Sequence, residues 1–311
     1  MIVFNGEIYN FKELRKKIHN DFDFKSNSDT EVILNLYIKY KHKILDLLEG
    51  MYAFVIYDNL EKKIFAARDE FGIKPLYYLF NNEKFIFSSH IKTFFDLDIK
   101  KKINYRSLSS YLTSEYYENV NKTFYENIVK LKPGHFLEIK NKKIKISKYF
   151  DFDECSRNVF IPKSFDQKKE QLEYIVKKII KLSLVSDVSM SIAASGGLDS
   201  SILQYEALKI NKNLNLISSN YKNSKFSEKK YVEKISEITN IKPNYFDIRI
   251  SDFKNNIRRI VELNEEPFAG LPILSYYLML KNINKNKVVL DGSGIDEAHG
   301  GYDKYYSKKQ D

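Results

Sequence analysis

Residues 188–201 read Val-Ser-Met-Ser-Ile-Ala-Ala-Ser-Gly-Gly-Leu-Asp-Ser-Ser. The run Val188–Ala194 has the character of a buried strand, and Ile202, Leu203 and Leu208 mark the apolar side of a following helix over Asp199–Lys209. Between them Ser195–Ser201 is a turn of small residues. Its backbone N–H groups can close on phosphate oxygens, the helix N-terminus adds favourable partial charge, and the serine hydroxyls add donors. No lysine follows the glycines, so this is not the GxxxxGKS/T loop that holds a γ-phosphate, and no GxGxxG signals a dinucleotide. A phosphate grip without lysine suits a departing pyrophosphate, with the α-phosphate as the centre attacked. The same residues also admit a plainer reading, a turn that needs glycine only for its backbone angles.

Outward from this turn, strand and helix patterns alternate. A helix is expected over Gln167–Leu184, a strand over Leu214–Ser219, a helix over Glu228–Thr239 and a strand over Asn244–Ile248. A further helix over Ile273–Asn282 precedes a strand over Lys287–Leu290. That alternation predicts a parallel, doubly wound sheet. Six of the eleven glycines lie in two segments, Ser195–Ser201 and Asp291–Tyr302 (DGSGIDEAHGGY). In an open parallel sheet both loops leave the carboxyl ends of strands, where ligands bind. Asp199 and Asp296 are then placed to share a Mg²⁺ that bridges phosphates.

The first half has a different texture. Short β-like runs occur at Tyr52–Tyr57, Lys63–Ala67, Leu76–Phe80 and Lys84–Ser88, separated by turn residues such as Asp58-Asn59, Gly72 and Pro133-Gly134. Helical spacing marks Phe11–Ile18 and Asp29–Tyr40, the second opened by the capping-type run Ser26–Asp29. Residues 1–150 are therefore expected to form an α+β domain, 151–165 a linker, and 166–311 the α/β domain.

Composition narrows the class of protein. The 311 residues suffice for two domains at roughly 150 residues each. With 43% hydrophobic and 14% aromatic residues, the chain can bury sizeable cores. No apolar stretch approaches the ~18 residues of a spanning helix, and a cytoplasmic protein without a membrane partner is expected. The single Cys155 excludes a disulfide scaffold or a cysteine-cluster metal site. Of 51 Lys+Arg against 41 Asp+Glu, only seven are Arg and the lysines are dispersed, so the net +10 is read as a solvated surface rather than a nucleic-acid footprint. The tyrosines and phenylalanines are read as core, and no histidine has zinc-ligand spacing.

The chain resembles the glutamine-hydrolysing asparagine synthetases over nearly its whole length. In the second half the resemblance rests on Ser186-Asp187-Val188, Ser195–Ser201, Glu266-Pro267-Phe268, Gly292, Gly294, Asp296-Glu297 and Gly300-Gly301-Tyr302. In the first half it rests on Asn5–Asn10 (NGEIYN), Ser28–Glu31 (SDTE), Leu48–Phe54 (LEGMYAF), Ala67–Tyr78 (ARDEFGIKPLYY) and Leu131–His135 (LKPGH). The resemblance implies an incomplete Ntn-type, class II glutamine amidotransferase domain of α+β fold, followed by an incomplete parallel-sheet ATP pyrophosphatase domain. It implies ATP and Mg²⁺, with glutamine or ammonia and aspartate or another carboxylate as substrates. By resemblance Asp199 and Asp296 hold Mg²⁺, while Ser195, Gly196, Gly197, Leu198, Ser200 and Ser201 hold the pyrophosphate. Ala194, Ser219, Asp291 and Gly292 lie around the nucleotide. Asn5 and Gly6 form the oxyanion hole of the glutaminase, and Glu7 and Asp29 receive the amino-acid head of glutamine.

Three departures from the family pattern stand out. The family nucleophile is an N-terminal cysteine whose α-amine is the base; this sequence opens Met1-Ile2-Val3-Phe4, and Cys155 is remote from that position. No glutaminase activity is therefore expected of these residues as they stand. The family also extends well past the GGY motif into helical sequence, so the chain reads as truncated at both ends, with a homodimer or a partner as the possible source of missing segments. Ser293 stands where the family has an acidic residue, and Glu265 where Asp precedes Glu-Pro. Ser293 leaves open an acceptor other than aspartate, such as a sugar carboxylate of a surface polysaccharide. A non-catalytic product of a split gene is the competing reading of another class. RNA modification by a pyrophosphatase-loop enzyme does not account for the NGEIYN and SDTE motifs ahead of the loop.

Overall fold

Strands cluster in the first half of the chain and alternate with helices in the second, as the side-chain periodicities require. The computed structural model describes residues 1–81, 84–114, 121–157, 159–221, 227–268, 270, 272–283 and 288–302. It divides into two units, Met1–Ile161 with Glu265–Pro267, and Pro162–Asn264 with Phe268–Asp311.

The first unit runs β1 (Ile2–Ile8), α1 (Phe11–Ile18), α2 (Asp29–Tyr40), β2 (Gly50–Asp58), β3 (Lys63–Arg68), β4 (Tyr77–Phe80) and β5 (Phe85–Ser88). It continues with α3 (Lys92–Asp96), α4 (Tyr105–Ser114), β6 (Val129–Lys130), β7 (His135–Lys140), β8 (Lys143–Lys148) and α5 (Phe152–Arg157). An antiparallel sheet of order β1-β2-β3-β7-β8 has helices on one face and a second sheet, β5-β4-β6, on the other. Strand alternation divides the residues. Tyr52, Phe54, Ile56, Phe65, Ala67 and Phe136 pack with Leu14, Ile18, Val32, Ile33 and Leu36 of α1 and α2. Ala53, Ala66, Leu137 and Ile139 face Leu76, Tyr78 and Leu131. α1 and α2 span the residues their spacing predicted, and the Ser28 hydroxyl caps α2 by accepting Thr30 N–H at 3.0 Å. Asn5-Gly6-Glu7, which in isolation reads as a turn, lies inside β1 and pairs with Met51–Ala53. The expected linker carries the short helix α5.

The second unit runs α6 (Phe165–Ser183), β9 (Met190–Ala193), α7 (Leu198–Ile210), β10 (Asn215–Asn220), α8 (Lys229–Thr239) and β11 (Asn244–Asp247). Then follow α9 (Ile250–Asn264), α10 (Pro272–Lys281), β12 (Val288–Leu290) and α11 (Ile295–His299). All neighbours in its sheet, ordered β11-β10-β9-β12, are parallel. The central β9 is covered on both faces: Met190 and Ile192 join a core with Ile180, Leu203, Ala207 and Leu208, while the intervening Ser191 is fully buried. β9 starts later than expected because the Ser186 hydroxyl turns the chain back on Val188 N–H at 3.2 Å. Lys287, expected to open β12, lies outside the described residues. α9 is an addition to the expected elements, and Phe253, Ile257, Ile260 and Val261 carry its helical spacing.

Candidate functional site

In the second unit the chain moves from β9 outward to β10 and β11, then returns to place β12 on the other side of β9. The order reverses between β9 and β12, and their carboxyl ends flank a crevice. Both glycine-rich loops leave there and line one cavity of ≈750 Å³. Ser195, Gly197, Leu198, Asp199 and Ser200 come from the first loop, and Asp291, Gly292 and Asp296 from the second. These eight sequence-predicted residues are thus brought together.

The first loop leaves donors free at the start of a helix. Gly197 caps α7 with no side-chain hydrogen bond, so the opening turn has backbone N–H groups without a side-chain acceptor. The Ser195 and Ser200 hydroxyls lie 2.9 Å apart, and Ser200 Oγ also donates to Gly197 O at 3.1 Å. Four further predicted residues do not line this cavity. Gly196 packs on Tyr231 of α8, and Ala194 is buried with its N–H donated to Ile217 O at 2.8 Å. Ser201 N–H is tied to Gly197 O at 3.0 Å, and Ser219 sits near the end of β10, paired with Phe246.

Asp199 and Asp296 line the same cavity and are close enough to interact. Burial, and then the charge of Asp296, raise the Asp199 carboxyl above the ordinary carboxylate range, with His299 opposing the shift. Two mutually repelling carboxylates beside the uncapped start of α7 have the chemistry to accept a divalent cation. Among the described residues no group of three or more His, Cys, Asp or Glu converges on one point. A pair of carboxylates is the kind of set Mg²⁺ takes, since it uses one or two carboxylates and completes its shell with water and substrate phosphates. Gly301 lies against this pair: an added Cβ would sit 2.0 Å from Asp296 Oδ1 and displace that carboxylate. Ser293, Glu297 and His299 also line the cavity, Tyr302 donates to Glu297 Oε1 at 3.0 Å, and Tyr276 of α10 forms part of the wall. Nothing in the sequence separates Tyr276 from the tyrosines expected in the core, such as its neighbour Tyr277.

In the first unit Asn5, Gly6 and Glu7 lie on β1. Ile2, Phe4 and Ile8 point to the helical core, so strand alternation turns Asn5 and Glu7 to the opposite face. Gly6 has φ +152°, and a Cβ there would meet Met51 O at 2.2 Å, so only glycine fits. Asp29, in the first turn of α2, accepts Ile8 N–H at 3.2 Å, which ties the start of α2 to the end of β1. Asn5, Gly6 and Glu7 thus lie on one strand, and Asp29 is bonded to its last residue.

The strand behind them is fixed by a buried acid. Asp69 accepts N–H bonds from Tyr52, Phe71, Ile73 and Lys74 at 2.8–3.2 Å, and Tyr52 is the residue paired with Gly6. Arg68 donates to the carbonyls of Lys74, Gly72 and Leu131. The ARDEFGIKP segment thus staples its own turn. Glu265, one of the departures from the family pattern, accepts Ile91 and Lys92 N–H, and Glu266 pairs with Lys130 at 2.6 Å. Cys155 is exposed on α5 beside an apolar cavity of ≈370 Å³ lined by Phe71, Phe150 and Phe152; none of Asn5, Gly6, Glu7 or Asp29 lines it.

The fold defines a chain with an antiparallel α+β unit followed by a parallel-sheet unit whose two glycine-rich loops meet at a crevice. A family model for the glutamine amidotransferase domain matches residues 1–150, and one for asparagine synthase matches 171–311. Asparagine synthetase (glutamine-hydrolyzing) 1 of Bacillus subtilis is 29% identical over 309 residues, covering 98% of this chain and 48% of that protein. Putative asparagine synthetase (glutamine-hydrolyzing) 2 of Methanocaldococcus jannaschii is 30% identical over 313 residues, covering 97% and 59%. Amidase chry2 of Gibberella zeae is 26% identical, covering 97% and 47%. The chain belongs to the asparagine synthetase (glutamine-hydrolysing) family, and spans about half the length of these curated relatives. No helix among the described residues is long and apolar enough to cross a membrane.

Proposed function

We propose that the second unit binds Mg²⁺·ATP and serves the adenylation of a carboxylate, the aspartate side chain first among acceptors, with ammonia then displacing AMP. The observation that carries this reading is the meeting of two glycine-rich loops at the reversal of a parallel sheet, with Asp199 and Asp296 opposed across their cavity. A carboxylate is a poor acyl donor. Attack of its oxygen on the α-phosphorus expels pyrophosphate and leaves a mixed anhydride whose AMP is a good leaving group. Attack by ammonia forms the amide, releases AMP and gives up a proton.

The chain's own residues have separable roles. The α7 N-terminus and the Ser195 and Ser200 hydroxyls receive the β- and γ-phosphates as their charge grows on departure. Asp199 and Asp296 would hold Mg²⁺, which when bound offsets phosphate charge and aligns the leaving group. In the first unit the Asn5 amide and Gly6 N–H suit a tetrahedral oxyanion, and Glu7 and Asp29 suit an ammonium, as a glutamine site requires. A second acceptor class, carboxylates other than aspartate, is favoured by one observation: Ser293 lines the cavity where the family has an acid.

The test is Mg²⁺·ATP binding by the full chain and by the double variant Asp199→Ala/Gly197→Val. Affinity is expected to fall about 100-fold or more, as for loss of a charge-assisted phosphate site. Unchanged affinity overturns the nucleotide reading. Amide formation from ammonium with aspartate, set against other carboxylic acids, then decides the acceptor.

A further inference from the structure

Tyr276 belongs to none of the motifs above, yet it joins two elements of the cavity. Its hydroxyl, on α10, donates to Asp291 Oδ2 in the second glycine-rich loop. The other oxygen, Oδ1, accepts Ser293 N–H at 2.8 Å. Both carboxylate oxygens of Asp291 are therefore engaged by the protein, one from a separate helix and one from its own loop. The carboxylate braces the loop from within at the edge of the cavity it helps to line.

The braced loop controls the crevice. At Gly292 an added Cβ would come within 3.4 Å of both Asp199 Cβ and Ser200 N, so this backbone rests directly on the start of α7. Ile295 N–H donates to Gly292 O at 3.3 Å and Ala298 N–H to Gly294 O at 3.1 Å, and these bonds open the helix that carries Asp296. A contiguous series of contacts thus runs from Tyr276 through Asp291 and Gly292 to Asp296, opposite Asp199.

We propose that Tyr276 is a positioning residue: by holding Asp291 it fixes residues 291–294, and with them the place of Asp296 opposite Asp199, so that Mg²⁺-dependent nucleotide binding requires a hydroxyl that is neither a metal ligand nor a phosphate contact. The inference rests on the Mg²⁺·ATP reading above. Burial, and after it the bond to and charge of Asp291, keep the Tyr276 hydroxyl protonated well past neutrality, so it remains a donor throughout the working range.

Two measurements on the full chain separate this inference from the reading beneath it. In unliganded protein, Tyr276→Phe should speed amide exchange of Ser293–Ala298 about tenfold, leaving α6 and α8 unchanged, in keeping with one lost hydrogen bond to a charged group. In Mg²⁺ titrations at fixed ATP, Tyr276→Phe should raise the Mg²⁺ midpoint about five- to tenfold. Asp291→Asn should raise it by no more, and the double variant should add little, because both changes break one brace. An unmoved midpoint overturns the proposal even if the melting temperature falls, since that is the signature of a merely structural tyrosine. Additive single effects overturn it as well. If the unaltered chain binds no Mg²⁺·ATP, the nucleotide reading falls, and the exchange measurement alone still decides whether Tyr276 braces the loop.

Discussion

The two units hold their candidate sites by opposite means. Around Gly6 the polar groups meet backbone partners: Asp29 takes Ile8 N–H, and Asp69 takes four N–H groups behind the strand. Those contacts stabilise the fold with no ligand present. Around Asp199 the reverse holds, since Asp199 and Asp296 repel each other and the first turn of α7 has no side-chain cap. A site of the first kind is part of the architecture, whereas one of the second kind stores a cost that a cation and an anion together relieve.

The widest expected difference is all or none. A polypeptide of these 311 residues has only the exposed Cys155 as a thiol, on a helix whose cavity includes none of the four glutamine-site candidates. It is expected to release no ammonia from glutamine in a coupled assay. Release by the pure chain would overturn this, and would show that the Asn5–Glu7 strand is served by a nucleophile other than the family's cysteine.

Glycine substitutions sharpen the contrast next. Gly6→Val drives a Cβ into Met51 O and is expected to destabilise the first unit by about 4 kcal/mol or more in urea unfolding. Gly197→Val meets only Ser195 Oγ, at 3.5 Å, and should leave stability within about 1 kcal/mol while Mg²⁺·ATP binding is lost. Equal destabilisation by the two would break the comparison. Acid deletions should then differ in sign. Asp69→Ala strands buried N–H groups and should cost about 3 kcal/mol, whereas Asp199→Ala removes a repulsion and should raise the melting midpoint of the unliganded second unit. A lowered midpoint for Asp199→Ala would show that the carboxylate pair is not a stored cost.

Legibility in sequence follows the range of the interactions. α1 and α2 are legible to the residue because helical spacing and the Ser28 cap are local. The Ser195–Ser201 turn was equally local, and its expected place at the end of a parallel strand holds. What sequence could not show depends on which elements become neighbours. β3 pairs with β7, not with the nearer β4, and that choice buries Ala66 and Leu137 between two sheets. Asp69 reaches Tyr52 across a strand pair, and Gly196 turns toward α8 rather than the cavity. Tyr276 shows the limit best: only the arrival of α10 beside the second loop separates it from Tyr277, an identical residue one position on.

The smallest effect tests the same contrast through pH. The Glu31 carboxylate, at the entry to α2, accepts Lys25 N–H at 2.8 Å, and Ser26 N–H and Oγ at 2.7 and 2.6 Å. The Lys25 bond, then the Ser26 hydroxyl, hold its pKa below the ordinary glutamate value. Its contribution is therefore present above that ordinary value and is lost as pH falls through the depressed folded one. Asp199 has the opposite sign. Its pKa is raised, so its favourable contribution is complete below the ordinary aspartate value and fades as pH rises through the raised folded one. Acidification from neutrality should first protect the amides around Asp199 and Asp296, and only at lower pH release those of Lys25 and Ser26. Amide exchange followed residue by residue reads both windows in one sample. Mg²⁺ should abolish the first change and leave the second, because a bound cation already offsets the repulsion that protonation would relieve. If the two windows shift together with Mg²⁺, Asp199 and Asp296 are not its site, and the distinction between a satisfied and an expectant cluster of carboxylates fails at the place it matters most.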